Sequence, residues 1–198
     1  MPRVSFLSAA KSAGRLVTRP GRTLDQLAAS GHLAEASWAV GATAGVWSAF
    51  CVWLHRSGHA PSRVLLPIPP GDYYLYQAVG LVPLLFGAWW LLTVVTHALA
   101  RLLGGSGRLR ALGAAAGFAY ALPLLGCFVL PDLVVFAAFG FGALGKLVRV
   151  TGLVLAAAEW LLVSRAITAA HGLRLRPASA IALVALLVQA AVLGVFLR

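Results

Sequence analysis

Long stretches without a charged residue alternate with short basic clusters along this chain. The uncharged runs cover 36–54, 73–100, 111–131 and 177–197. A helix that crosses a membrane needs about 20 apolar residues, because inside hydrocarbon every backbone N–H and C=O must be bonded within the protein. Each run meets that length. The second is longer than a crossing requires. Its opening residues Tyr73, Tyr74 and Tyr76 suit an interfacial aromatic anchor, which leaves 79–100 as the span proper. A further apolar stretch, 133–145, would be only about 20 Å long as a helix, too short to cross. Its glycines Gly140, Gly142 and Gly145 suit an interfacial or re-entrant segment. Lys146 and Arg149 then interrupt, and a span over about 148–168 follows with Glu159 inside it. The pattern predicts an all-α integral membrane bundle of five transmembrane helices, over 36–54, 79–100, 111–131, 148–168 and 177–197.

Residues 1–35 form a separate basic, amphipathic element ahead of the membrane domain at 36–198. Phe6, Ala10, Ala13 and Val17 recur at helical spacing, and Lys11 and Arg15 lie four residues apart on another face. Arg19-Pro20-Gly21 should end that helix, and Thr23 to Ala29 begins another. Such an element either caps the bundle or lies on anionic lipid. In the second case Lys11, Arg15 and Arg22 meet the headgroups at about 1 kcal/mol each.

Composition narrows the class. Residues are 61% hydrophobic and 11% charged, with mean hydropathy +0.90, which excludes a water-soluble globule. The net charge of +11 suggests nucleic acid at first sight. Its distribution argues against that, because the basic residues sit between apolar spans, where they orient a membrane protein and attract anionic lipid. With the N-terminus inside, Arg3, Lys11, Arg15, Arg19, Arg22, Arg101, Arg108, Arg110, Arg165, Arg174 and Arg176 are cytoplasmic, and Arg56, Arg63, Lys146, Arg149 and Arg198 are outside. A six-span arrangement counting 133–145 divides the charges identically, so helix length decides for five. Abundant Arg, Ala, Gly and Leu with little Lys suit a GC-rich bacterial genome and an inner-membrane location. The first 35 residues hold no continuous apolar stretch after the basic start, so no cleaved signal peptide is expected.

Chemistry-bearing residues are sparse. Gly41-Ala-Thr-Ala-Gly45 and Gly113-Ala-Ala-Ala-Gly117 are small-xxx-small patterns that let helix backbones approach. Glu159 is the one acid well inside a span. A charged carboxylate there costs about 2.5–3.5 kcal/mol on insertion scales. It should therefore face the bundle, with Tyr120 and Gln189 at similar depth as partners and Thr93 somewhat further off. His97 and His171 each sit near a helix end, where headgroup or backbone contacts are the usual role, and no ligand spacing points to a metal. Cys51 and Cys127 fall at depths that would permit a disulfide, or serve as two small buried hydrophobes. Gly104-Gly105-Ser106-Gly107 matches the GxSG of rhomboid proteases superficially, but a nucleophile needs a histidine base from another span, and Ser106 sits in a basic loop. No catalytic, cofactor or metal motif emerges.

One resemblance covers nearly the whole chain. His97-Ala-Leu-Ala-Arg101-Leu-Leu-Gly104-Gly105 ends the second span, and Gly117-Phe-Ala-Tyr120-Ala-Leu-Pro123 lies in the third. Together they resemble the core signature of the Yip (Ypt-interacting) family of five-span membrane proteins. Arg19-Pro20-Gly-Arg-Thr-Leu24 is similar to a segment of bacterial members, and Ala170-His171-Gly172-Leu173 to their loop before the last span. The resemblance implies a multi-pass protein with a cytosolic N-terminus and, in eukaryotic relatives, roles in vesicle traffic, membrane shaping and binding of Rab-type GTPases. This chain has a short basic N-terminal segment and lacks an Asp-Leu-Tyr-Gly-Pro motif, so the expectation does not extend to GTPase binding. The expected function is a non-enzymatic inner-membrane protein acting by helix packing with anionic lipid, a membrane-protein partner or a second copy. The alternative is a small transporter using Glu159.

Overall fold

The computed structural model describes residues 6–61 and 67–197. Every regular element there is helical: α1 (Phe6–Thr18), α2 (Pro20–Ser30), α3 (Leu33–Arg56), α4 (Tyr73–Leu102), α5 (Leu109–Pro123), α6 (Leu130–Phe139), α7 (Phe141–His171) and α8 (Leu175–Leu197). A π-helical turn, Leu124–Val129, joins α5 to α6 without a break. Four helical stretches are long and apolar enough to cross a membrane: Leu33–Arg56, Pro70–Leu102, Leu109–Phe139 and Phe141–His171. α8 carries an apolar stretch over Leu175–Ala191 and packs along α7 and α4. The five stretches alternate in direction, so one end of the bundle holds α1, α2, the α4–α5 loop and the α7–α8 loop. We call it the near end.

The stretch 133–145 is not an element of its own. Its first part extends the third crossing as α6, and its last part opens α7. The division falls at Gly140, whose φ of 76° and ψ of −178° suit a residue without Cβ. The expectation of an interfacial or re-entrant segment took Lys146 and Arg149 as a boundary. They lie instead in the first turns of a 31-residue helix. At 1.5 Å per residue that helix is about 46 Å long, against a hydrocarbon core of about 30 Å. The helix is thus longer than a crossing requires, and both side chains are exposed. Tyr73, Tyr74 and Tyr76 lie in the first turn of α4, with Tyr73 buried against Tyr74 at a ring separation of 5.4 Å.

Pro123 explains the π turn. Its missing N–H and its ring both conflict with the carbonyl four residues earlier, and widening the following turn accommodates the conflict without ending the helix.

The N-terminal residues are joined to the bundle. Pro20 occupies the first turn of α2, where its missing N–H has no helical partner to lose. α2 packs on α5 and α7 through Leu24, Leu27 and Ala28, and α1 packs on α3. Ser12 donates to Glu35 of α3 at 3.3 Å, and Arg110 of α5 donates to the Gly31 carbonyl at 3.0 Å. The inward face of α1 is Ala9 and Leu16 with Ala13 beside them, while Ala10 and Val17 point outward, Val17 being 81% exposed. The face expected from Ala10, Ala13 and Val17 is thus rotated, and the side chain of Phe6, expected on that face, lies outside the described residues.

Candidate functional site

At the near end the last turns of α4 and α7 bring His97 and His171 together, 74 positions apart in sequence. His97 Nδ1 and His171 Nε2 are 3.1 Å apart. The Gly107 N–H donates to His171 Nδ1 at 3.2 Å, so that nitrogen is the acceptor. The proton of His171 therefore sits on Nε2 and is donated to His97 Nδ1, which places the His97 proton on its own Nε2. The loop wraps this pair tightly. Ser106 N–H donates to the His171 carbonyl at 3.4 Å, Gly105 N–H to the Ala100 carbonyl at 2.8 Å, and Arg101 to the Gly105 carbonyl at 3.4 Å. A Cβ on Gly105 would lie 2.8 Å from both Ala100 O and His171 Nδ1, and one on Gly107 would strike the Ala170 carbonyl and sit 2.9 Å from His171 Cγ. Gly104 at φ 83° and Gly172 at φ 69° end their helices in the left-handed region that glycine favours.

His97, Arg101, Gly104, Gly105, His171 and Gly172, singled out above on other grounds, are thus one contiguous lock. Sequence reasoning took the two histidines singly and missed Gly107. The available signal was that both histidines sit near helix ends on the same side as a Gly-Gly-Ser-Gly loop. Ser106 is exposed, and both ring nitrogens of His171 are already engaged, so this histidine is not placed as a base for the serine hydroxyl.

The glycine patterns divide. A Cβ at Gly117 would lie 2.6 Å from Ala36 Cβ and 3.1 Å from the Trp89 ring, and one at Gly113 would lie 2.9 Å from Leu33. That closeness lets Trp89 Nε1 donate to the Gly113 carbonyl at 3.0 Å, and Thr43 of α3 donate to the Ala121 carbonyl at 3.2 Å. Gly41 has only the Phe86 ring near, at 3.8 Å, and Gly45 has nothing within 4 Å.

Midway along the bundle Tyr120 of α5, Glu159 of α7 and Gln189 of α8 are all buried, at 2%, 9% and 3% exposure. Gln189 Nε2 donates to the Ala88 carbonyl of α4 at 3.4 Å, not to either of the others. The Tyr120 hydroxyl is enclosed with no hydrogen-bond partner among the described residues. Thr93 instead bonds back to the Trp89 carbonyl of its own helix at 2.8 Å.

Toward the far end a cavity of about 840 Å³ is walled by Trp47, Phe50, Tyr74, Phe128 and Phe141, with Gln77 and Asp132 as polar groups. Cys51 lines it and donates to Gln77 at 3.4 Å; Cys51 and Cys127 are both free thiols. On the outer side of α1 and α2, Lys11, Arg15, Arg19 and Arg22 are exposed. The three arginines line a groove of about 580 Å³ with Thr18, Thr23 and Gln26. Among the described residues no group of three or more His, Cys, Asp and Glu is placed to hold a metal. Compared with known proteins, the chain finds no matching family model, curated protein or solved structure.

Proposed function

We propose that this is a non-enzymatic bacterial inner-membrane protein of the Yip type that organises its membrane, with the near end in the cytoplasm. It grips anionic headgroups there and packs laterally against lipid, a membrane-protein partner or a second copy. The observation that carries the reading is the outer face of α1 and α2. Exposed Leu7 and Val17 lie on the same helix as exposed Lys11 and Arg15, and Arg15, Arg19 and Arg22 line one groove. Apolar side chains beside cations suit the boundary between acyl chains and phosphates. Docking of α1 and α2 on the bundle holds that face in place, so binding lipid does not require folding a free peptide. The lock of His97 and His171 supports the same reading, because it joins the α4–α5 and α7–α8 ends into one rigid platform.

The test uses the full chain in mild detergent with phosphatidylglycerol or phosphatidylcholine added, read as thermal stabilisation and as lipid retained. Anionic lipid should be retained preferentially. Replacing Arg15, Arg19 and Arg22 by Gln should weaken that preference by about 3 kcal/mol in total, near a hundredfold. Equal retention of the two lipids by the wild-type protein would overturn the proposal.

A further inference from the structure

The lock at the near end hangs on two lone pairs. The Gly107 N–H donates to His171 Nδ1 at 3.2 Å, and His171 Nε2 meets His97 Nδ1 at 3.1 Å. Two neutral imidazoles have four ring nitrogens, two carrying hydrogen and two carrying a lone pair. Both lone pairs are in use here, one accepting from the loop and the other from the partner ring. A proton added to the pair leaves one lone pair for two contacts, so one bond must break wherever the proton settles. A hydrogen bond between an imidazolium and an imidazole is charge-assisted and outlasts a neutral one from a backbone amide. The bond that gives way is therefore the one from Gly107 to His171.

We propose that His97 and His171 form an acid-released latch between the α4–α5 loop and α7. The step is the gain of one proton from water, which gives a cation shared by the two rings. His171 Nδ1 then carries hydrogen and faces the Gly107 N–H, donor against donor. What remains between the loop and α7 is the long bond from Ser106 N–H to the His171 carbonyl, at 3.4 Å, whereas Gly105 keeps its bond to Ala100 of α4 at 2.8 Å. The loop thus parts from α7 and stays with α4. The surrounding charges push the same way. Among the described residues the one approach of a histidine to a carboxylate is His32 to Glu35 at 3.9 Å, at the start of α3, so no acid pairs with this cation. Arg101 stands one turn beyond His97 on α4. Arg108 of the loop, Arg165 of α7, Arg174 after it and Arg176 of α8 are exposed, as are Arg22 and Asp25 of α2, and Arg110 of α5 is turned to Gly31. His97 is half-buried and His171 buried, so opening is what brings the new charge to water. The latch does not depend on lipid binding by α1 and α2, and the two fail separately.

The experiment uses the full chain in phosphatidylcholine vesicles, with Cys51 and Cys127 replaced by Ala and a nitroxide spin label on Ser106→Cys, an exposed loop position. A second protein carries the label on Lys146→Cys, exposed toward the far end. As pH falls from about 8 to about 5, the window in which histidine titrates, the label at 106 should pass reversibly from slow to fast motion, its correlation time falling severalfold. The label at 146 should not change. His171→Ala and His171→Gln place no titratable group against Gly107, so the label at 106 should show no response to pH in either, and in His171→Ala it should be fast throughout. Equal motion at 106 at the two ends of the pH range would overturn the proposal. So would a pH response that survives both substitutions, or loosening at 146 alongside 106, which would mean general unfolding by acid.

Discussion

Two polar clusters in this bundle solve the same problem in opposite ways. At the near end both ring nitrogens of His171 have partners, and the loop Gly104–Gly107 has its N–H groups bonded to α4, to α7 or to the ring. Glu159 is buried about 18 Å deeper along α7, and midway along the bundle the Tyr120 hydroxyl of α5 is enclosed without a hydrogen-bond partner among the described residues. Water is within reach of the first cluster, so an open polar group there would cost little, yet that cluster is closed. The second lies where an open group costs most, and it is open. A closed network with one tautomer assignment holds helices at a fixed spacing. An open one leaves a group able to change state. The contrast assigns a structural role to the near end.

The comparison breaks most sharply at Gly107. Gly107→Ala pushes a methyl group against the Ala170 carbonyl and His171, so the loop must move and release its bond to the ring. We expect a loss of about 3 kcal/mol in unfolding by denaturing detergent. A loss within error would mean the loop is not held by the lock. Next comes His171→Ala, which deprives Gly107 N–H of its acceptor and His97 of its donor. About 2 kcal/mol is expected in the same assay, and the double variant with His97→Ala should cost little more, since the two act through one bond. Additive losses would show the histidines acting separately. The smallest effect is expected at the open cluster. Tyr120→Phe removes a hydroxyl with no partner and should change stability by less than about 1 kcal/mol in either direction. A loss comparable to that of His171→Ala would show that the midplane cluster is closed after all.

Much of the architecture was readable before any coordinates. Uncharged runs of sufficient length, in a chain only 11% charged, leave helices as the one economical way to satisfy the backbone. Arg19-Pro20-Gly21 marked the break between α1 and α2, although α2 begins at Pro20 itself and not at Thr23, and Gly113 and Gly117 marked a close helix contact. The errors have a common cause. Length alone sets 133–145 apart from the span at 148–168, whereas α7 begins at Phe141 and carries Lys146 and Arg149 near its start, because a helix longer than the hydrocarbon core can carry charge at its ends. Gly41 and Gly45 have the spacing of Gly113 and Gly117, but only the second pair meets a neighbour closely. Spacing along one helix says nothing of what lies opposite.

The sequence by itself determined that the chain is helical, where its long apolar stretches lie and where the basic residues collect. Those properties follow from local length, hydropathy and backbone chemistry, and each can be evaluated within about 20 residues. Only the tertiary structure decided that α1 turns Leu16 rather than Val17 inward, that His97 meets His171, and that Gln189 bonds to α4 and not to Glu159. These depend on the rotation of each helix about its own axis. In an apolar bundle, lipid and protein present nearly the same solvent to a side chain, so hydropathy leaves that rotation open and close packing settles it.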